Sequence, residues 1–129
     1  MSKEIALDTS VLVPYFRNDS GIVSRLENID IISIPFFVIG EMMIGFSYTV
    51  PSDKARREFE AFLTHANILV CNRNVADEYG EIFADLNRKG YLIPTNDIWI
   101  AACCLAAGVP LATRDNHFLR ISNLRIEMW

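Results

Sequence analysis

The sequence predicts an α/β fold in which a mostly parallel sheet is covered by helices. Short apolar runs typical of buried strands alternate along the chain with longer segments of helical character, and this alternation favours parallel strands joined by helical crossovers. No internal repeat, low-complexity tract or linker interrupts the order. Because 129 residues fit one core, we expect residues 1–129 to form a single domain.

The chain begins with strand-like and helix-like segments in turn. Residues 4–7, EIAL, form a short apolar run, after which Thr9 or Ser10 can cap a helix that continues through Phe16. A second helix is expected over residues 21–28. These segments predict a strand followed by two helices.

The next segments are more apolar. Residues 30–34, DIISI, are strand-like and end at Pro35, and residues 36–48 are apolar on nearly every side. A helix with that pattern is buried by the core and by a partner. A charged helix is then expected to start at Pro51, Ser52 and Asp53.

The second half supplies the remaining strands and helices. Residues 67–70, NILV, predict a strand, and residues 74–89 form an amphipathic helix. Asn96 is expected to cap a helix over residues 97–107, which Gly108 ends. Two further strands are expected, over residues 109–113 and 124–129.

Four carboxylates stand in apolar surroundings with no Lys or Arg placed at helical spacing, namely Asp8, Glu41, Asp97 and Asp115. Removing an ionised carboxylate from water costs several kcal/mol unless a counter-charge lies close. The chain has 16 acidic and 12 basic residues, so these four account for its whole net charge of −4. A divalent cation would supply the missing positive charge for all of them.

The expected fold brings these acids toward one edge. Right-handed crossovers place Asp8 and Asp115 at the carboxyl ends of strands, where open α/β sheets bind ligands. Asp97 lies in the first turn of its helix, and Glu41 can project toward the same edge. Taken singly, the three aspartates also fit roles as caps or turn residues, whereas Glu41 has no capping role.

Composition limits the function. An acidic chain argues against a broad, sequence-independent grip on nucleic acid. His65 and His117 are isolated and form no H-E-x-x-H motif, so we expect structural roles for both. The apolar share of 51% exceeds that of an average domain and suggests a subunit interface.

The cysteines and the hydropathy pattern bear on location. Cys71, Cys103 and Cys104 form no C-x-x-C pair and are expected to be small buried residues. An odd cysteine count without a signal-peptide pattern favours the cytoplasm. The longest apolar stretch, residues 31–50, is interrupted by Pro, Gly and Glu and is no membrane span.

Three sequence segments together resemble a known family: IALDTSVLVPYF near the start, IPFFVIGEMMIGF in the middle and IPTNDIWIAACCLAAGVPLATRDNHF near the end. They are similar to the PIN domain and, within it, to VapC-type toxins of prokaryotic toxin–antitoxin pairs. The resemblance implies a three-layer α/β/α sandwich around a mostly parallel sheet of four to five strands. It also implies Mg²⁺- or Mn²⁺-dependent endoribonuclease activity, a small antitoxin partner and a homodimer.

By matching motif, the resemblance makes Asp8, Glu41, Asp97 and Asp115 the acidic metal site, supported through hydrogen bonds by Thr9 and Thr113. The family commonly has Ser or Thr a few residues before the glutamate, whereas this chain has only apolar residues over positions 36–39. We therefore expect no hydroxyl support for the glutamate from that segment.

The chemistry of phosphodiester hydrolysis suggests a division of roles. Asp8 and Asp97 are expected to be the principal metal ligands, because each stands at the mouth of a strand or helix. Glu41 and Asp115 would bind the metal directly or through water, hold a second ion or act as the base. Arg114 and Arg17 are candidates for phosphate contact.

Two other functions stay open at this level. One is a catalytically silent module that holds RNA or a peptide in the same groove. The other is a Mg²⁺-dependent phosphatase or phosphotransferase, suggested by an aspartate after the first strand. Such enzymes commonly carry another acid two residues further on, where this chain has Ser10.

Overall fold

The computed structural model describes residues 2–48 and 53–129. Within those ranges, five parallel strands form one central sheet with helices packed against it, which confirms the predicted α/β class and its layered architecture. The predicted start of the charged helix at Pro51 and Ser52 lies outside the described residues, and the described part of that helix begins at Asp53.

The strands are parallel and lie in the order β3-β2-β1-β4-β5. Their bounds are Glu4–Leu7 (β1), Ile31–Pro35 (β2), Asn67–Leu69 (β3), Leu111–Thr113 (β4) and Ile126–Met128 (β5). From β1 the chain builds outward to β3 on one side and then crosses back to β4 on the other. The point between β1 and β4 is therefore a topological switch point, where open α/β sheets bind ligands beyond the carboxyl ends of the strands.

Six α-helices connect the described strands. Their bounds are Thr9–Phe16 (α1), Ser20–Leu26 (α2), Phe36–Tyr48 (α3), Asp53–Leu63 (α4), Arg73–Lys89 (α5) and Thr95–Ala107 (α6). A 3₁₀ helix, Asn116–Arg120, follows β4 and was not predicted. It is only five residues long, which is too short to produce a helical period in the sequence.

The helix ends agree only partly with the predicted caps. Gly108 takes a left-handed conformation with φ of 69° and ends α6 as expected. The expected capping role of Asn96 is wrong. The helix starts two residues earlier than expected, at Thr95, because Pro94 is the N-cap and its carbonyl accepts the N–H groups of Asp97 and Ile98.

The core lies around β1 and α6. Ile5, Ala6 and Leu7 of β1 are completely buried, and α6 presents small side chains that let α5 pack closely against it. Cys103 and Cys104 are buried in α6 as expected. Cys71 is exposed, contrary to expectation, because it follows β3 at the edge of the sheet.

Across residues 2–48 and 53–129, the structure contains no helix of the length and apolarity that a membrane crossing needs.

Candidate active site

Asp8 is held where β1 ends and α1 begins. Its N–H donates to the carbonyl of Ala112 in β4 at 3.1 Å, and its own carbonyl accepts the N–H groups of Val11 and Leu12, each at 3.0 Å. The residue is only 5% exposed. Since sheet and helix both constrain its backbone, the carboxylate projects beyond the sheet at the switch point.

Two hydroxyl groups orient the Asp8 carboxylate. The hydroxyls of Ser10 and Thr113 both donate to Asp8 Oδ2 at 2.8 Å. Each hydroxyl is itself oriented by a backbone N–H, from Arg114 to Ser10 at 2.9 Å and from Asp115 to Thr113 at 3.0 Å. Within the described chain Asp8 Oδ1 accepts no hydrogen bond, so this oxygen is left for a ligand.

Glu41 receives support from α1. The Thr9 hydroxyl donates to Glu41 Oε1 at 2.6 Å, although the two residues are 32 positions apart. The residues before Glu41 supply no hydroxyl, as expected, but a side chain from another helix takes that role. Thr9 and Ser10 were expected to cap α1, yet Asp8 occupies the N-cap position and both hydroxyls bind carboxylates.

Asp97, Asp115 and His117 form a compact cluster beside Asp8. His117 Nδ1 lies 3.3 Å from Asp97 Oδ2 and 3.3 Å from Asp115 Oδ1. The three potential ligand atoms all lie within 4.8 Å of one another. His117 is therefore not isolated, contrary to expectation, whereas its structural role stays a prediction.

The 3₁₀ helix brings these groups together. Asp115 is its N-cap, and Asp115 Oδ1 accepts the His117 N–H at 2.9 Å. Ser10 and His117 were both missed as site residues. A shared signal was present in the sequence, because each follows a strand-end aspartate by two positions.

The acids interact electrostatically. Burial, assisted by repulsion from Asp115, Asp8 and Glu41, raises the pKa of Asp97 to about 6 against the opposing effect of its contact with His117. Among the described residues no Lys or Arg side chain forms an ion pair with any of the four acids. The structure thus brings the predicted acids into one electrostatic neighbourhood that holds no Lys or Arg ion-pair partner among the described residues.

The predicted arginines lie elsewhere. Arg114 donates to Asp19 Oδ2 at 3.2 Å and to the Trp129 carbonyl at 2.9 Å, so it connects the start of α2 to the residue after β5. Arg17 is exposed at the end of α1. Phosphate contact by either arginine stays a prediction.

The donor set fits a hard divalent cation. Mg²⁺ and Mn²⁺ prefer carboxylate and water oxygens, and four carboxylates interact here without a Lys or Arg partner among the described residues. Hydroxyls orient two of the acids, Asp8 and Glu41, in the way that outer hydrogen bonds orient metal ligands in proteins. The arrangement can hold a cation at the carboxyl edge of the sheet.

An apolar groove of about 590 Å³ opens on one side of this cluster. Its lining combines Glu41 with apolar residues of α3, and Asn96 of α6 lies across from them. The α3 side chains of Phe36, Ile44 and Tyr48 are 55%, 59% and 86% exposed. Apolar exposure of this extent on one helix is typical of an interaction surface.

Comparison with known proteins gives a consistent result. The PIN domain model matches residues 5–124. Ribonuclease VapC2 of Rickettsia felis is 28% identical over 132 aligned residues, which cover 95% of this chain and 96% of that protein.

Two solved structures superpose over 98% of this chain and 98% of their own. The crystal structure of VapBC2 from Rickettsia felis, bound to a promoter DNA fragment, has a TM-score of 0.90 and 27% identity. VapBC-1 from nontypeable Haemophilus influenzae has a TM-score of 0.89 and 25% identity. With its family model matched across nearly the whole sequence, the chain belongs to the PIN domain family.

Proposed function

We propose that this chain is a metal-dependent endoribonuclease and the toxin of a VapBC-type toxin–antitoxin pair. The observation that carries the proposal is the meeting of Asp8, Glu41, Asp97 and Asp115 at the switch point of the sheet without a Lys or Arg partner among the described residues. The similarity to Ribonuclease VapC2 and to VapBC complexes supports the same reaction class.

The metal is proposed to be Mg²⁺ or Mn²⁺. PIN nucleases generally use a divalent metal, and the oxygen donors here suit either ion. Asp8 and Asp97 would be the principal ligands, with Glu41 and Asp115 binding directly or through water. When bound, such an ion lowers the pKa of a coordinated water and stabilises charge on the phosphoryl oxygens.

The chain's own residues prepare this site. Ser10 and Thr113 hold Asp8 Oδ2, so that Oδ1 faces outward. Thr9 holds Glu41 Oε1, which leaves Oε2 as the oxygen available to a water or to a proton. Support from neutral hydroxyls orients the acids without neutralising them, so their negative charge stays available to a cation.

Partners follow from the same comparisons and from the surface. The solved VapBC structures support a small antitoxin as the cognate partner, and the exposed apolar side of α3 supports a second copy of the chain. The acidic net charge implies that RNA is held locally at the metal site rather than by a broad basic surface. A single domain over residues 1–129 and a cytoplasmic location complete the proposal.

The test is RNA cleavage by the purified chain over a broad RNA panel. We expect cleavage with Mg²⁺ or Mn²⁺, none with excess chelator, and none by Asp8→Asn or Asp97→Asn. A matched control is Asp85→Asn, because Asp85 is a surface carboxylate paired with Lys89 on α5. An intact RNA panel with either metal would refute the proposal.

The alternatives lack a supporting observation. The complete set of interacting acids speaks against a catalytically silent module. The hydroxyl of Ser10, which donates to Asp8 where phosphatases carry a second acid, speaks against the phosphatase or phosphotransferase.

A further inference from the structure

We propose that His117 is a metal ligand through Nδ1 and that this nitrogen gives the site a preference for Mn²⁺ over Mg²⁺. The proposal rests on the proposed function in one respect, namely that the acids hold a divalent cation. It assigns to this chain a mixed site with nitrogen and oxygen donors in place of one built from oxygen alone.

The first argument is geometric. Two ligands in neighbouring positions of an octahedral ion, each about 2.1 Å from the metal, lie about 3 Å apart. His117 Nδ1 is 3.3 Å from Asp97 Oδ2 and 3.3 Å from Asp115 Oδ1. Since all three atoms also lie within 4.8 Å of one another, they are spaced as three ligands on one side of a cation.

The second argument concerns how the imidazole is held. The ring belongs to the 3₁₀ helix, whose start is fixed by the bond from the His117 N–H to Asp115 Oδ1 at 2.9 Å. The next side chain, Phe118, is completely buried and anchors the turn in the core. His117 is 45% exposed at its side chain, so the ring faces both the acids and solvent, where an ion and its waters can enter.

The third argument is chemical. Mg²⁺ takes oxygen ligands and gives up its waters reluctantly, whereas first-row transition ions accept imidazole nitrogen more readily. A nitrogen donor among carboxylates therefore favours Mn²⁺, which suits both donor types, over Mg²⁺. The carboxylates of Asp97 and Asp115 supply the oxygen donors beside the ring nitrogen.

Pulsed electron paramagnetic resonance of the full chain with Mn²⁺ alone tests the proposal directly. Coupling of the metal to a ¹⁴N nucleus reports a nitrogen ligand independently of activity. We expect this coupling in the wild type and its loss in His117→Gln. The matched control is His65→Gln, because His65 is the other histidine of the chain and lies exposed after α4, so its replacement should leave the coupling intact.

Affinity gives a second readout. Replacing His117 should weaken Mn²⁺ binding about tenfold, while Mg²⁺ binding, measured by competition against Mn²⁺, should change by less than about twofold. If His117→Gln shows an altered circular dichroism spectrum, His117→Asn replaces it in these binding measurements. Equal weakening of both ions would overturn the preference.

The outcomes separate this inference from the proposed function. RNA cleavage by a Mn²⁺-loaded wild type that shows no ¹⁴N coupling overturns the role of His117 alone, as does coupling that persists in His117→Gln. Coupling without cleavage of any RNA supports the ligand and overturns the endoribonuclease. Failure of the wild type to bind Mn²⁺ overturns the ligand role of His117, and failure to bind either Mn²⁺ or Mg²⁺ overturns the proposed function as well.

Discussion

Replacing Asp97 with asparagine should stabilise the metal-free protein near neutral pH while it abolishes metal-dependent cleavage. In the folded protein, burial and the neighbouring carboxylates raise the pKa of Asp97 to about 6 from an ordinary 3.8. The ionised form is therefore less stable in the folded chain than in the unfolded one. Asparagine removes that charge and keeps nearly the same shape.

The magnitude follows from the size of the pKa change. A shift from 3.8 to about 6 corresponds to about 3 kcal/mol when the group is fully ionised. Solvent screening in a partly open site and loss of the favourable contact with His117 reduce the expected gain to about 2 kcal/mol. For a chain of this length, about 2 kcal/mol raises the melting temperature by roughly 6–8 °C.

The pH dependence has a definite sign. Because the pKa of Asp97 is raised in the folded state, its protonated form makes its full contribution to the free energy of unfolding below about pH 4. That contribution is lost as the pH rises through about 6. The advantage of Asp97→Asn should therefore be greatest near pH 7.5 and shrink toward about pH 4.5.

The assay is thermal and urea unfolding of both chains with chelator present across that pH range. Asp85→Asn is the control, because its hydrogen bond to Lys89 lowers the pKa of Asp85 and its replacement should not stabilise the protein. The reasoning is refuted if Asp97→Asn is less stable than wild type near neutral pH, or if its advantage does not vary with pH.

Three further substitutions test the hydrogen bonds around the site. Thr9→Val removes the donor to Glu41 and should weaken Mn²⁺ binding about tenfold with a stability loss of only about 1 kcal/mol, measured by calorimetric titration and urea unfolding. Thr113→Val removes the hydroxyl that donates to Asp8 Oδ2 and accepts the Asp115 N–H, so it should lower the free energy of unfolding by about 1–3 kcal/mol. Thr113→Ser keeps the hydroxyl and should behave like wild type. Arg114→Ala should have little effect on stability in urea unfolding because its ion pair with Asp19 is exposed to solvent, and a large drop in RNA affinity would support its predicted phosphate contact.

Local patterns made much of the fold predictable. Each strand is a short apolar run between turn signals, and Gly108 ends its helix through a conformation that glycine adopts readily. The acids were predictable for a related reason. Asp8 and Asp115 follow β1 and β4, which are parallel neighbours in the same sheet. Their positions therefore depend only on the order of the strands and the handedness of the crossovers.

Contacts between distant residues account for what could not be predicted. Thr9 and Glu41 are 32 positions apart, and Arg114 and Asp19 are 95 apart, so no local spacing links either pair. The position of the histidine in the acid cluster depends on a five-residue 3₁₀ helix, which is too short to have a hydropathy signature. The sequence therefore predicted which acids gather, and the family resemblance named Thr9 and Thr113 as their supports. Neither indicated the roles of Ser10 and His117 beside them.

The most direct test of the metal-centred site is one titration of chelator-treated protein with Mn²⁺, in which metal occupancy and RNA cleavage are measured in the same samples. Cleavage should be absent at the start, rise in step with occupancy, and fail to appear in Asp8→Asn at any Mn²⁺ concentration. Cleavage by the metal-free wild type, or undiminished cleavage by Asp8→Asn, would contradict a metal site built on these acids.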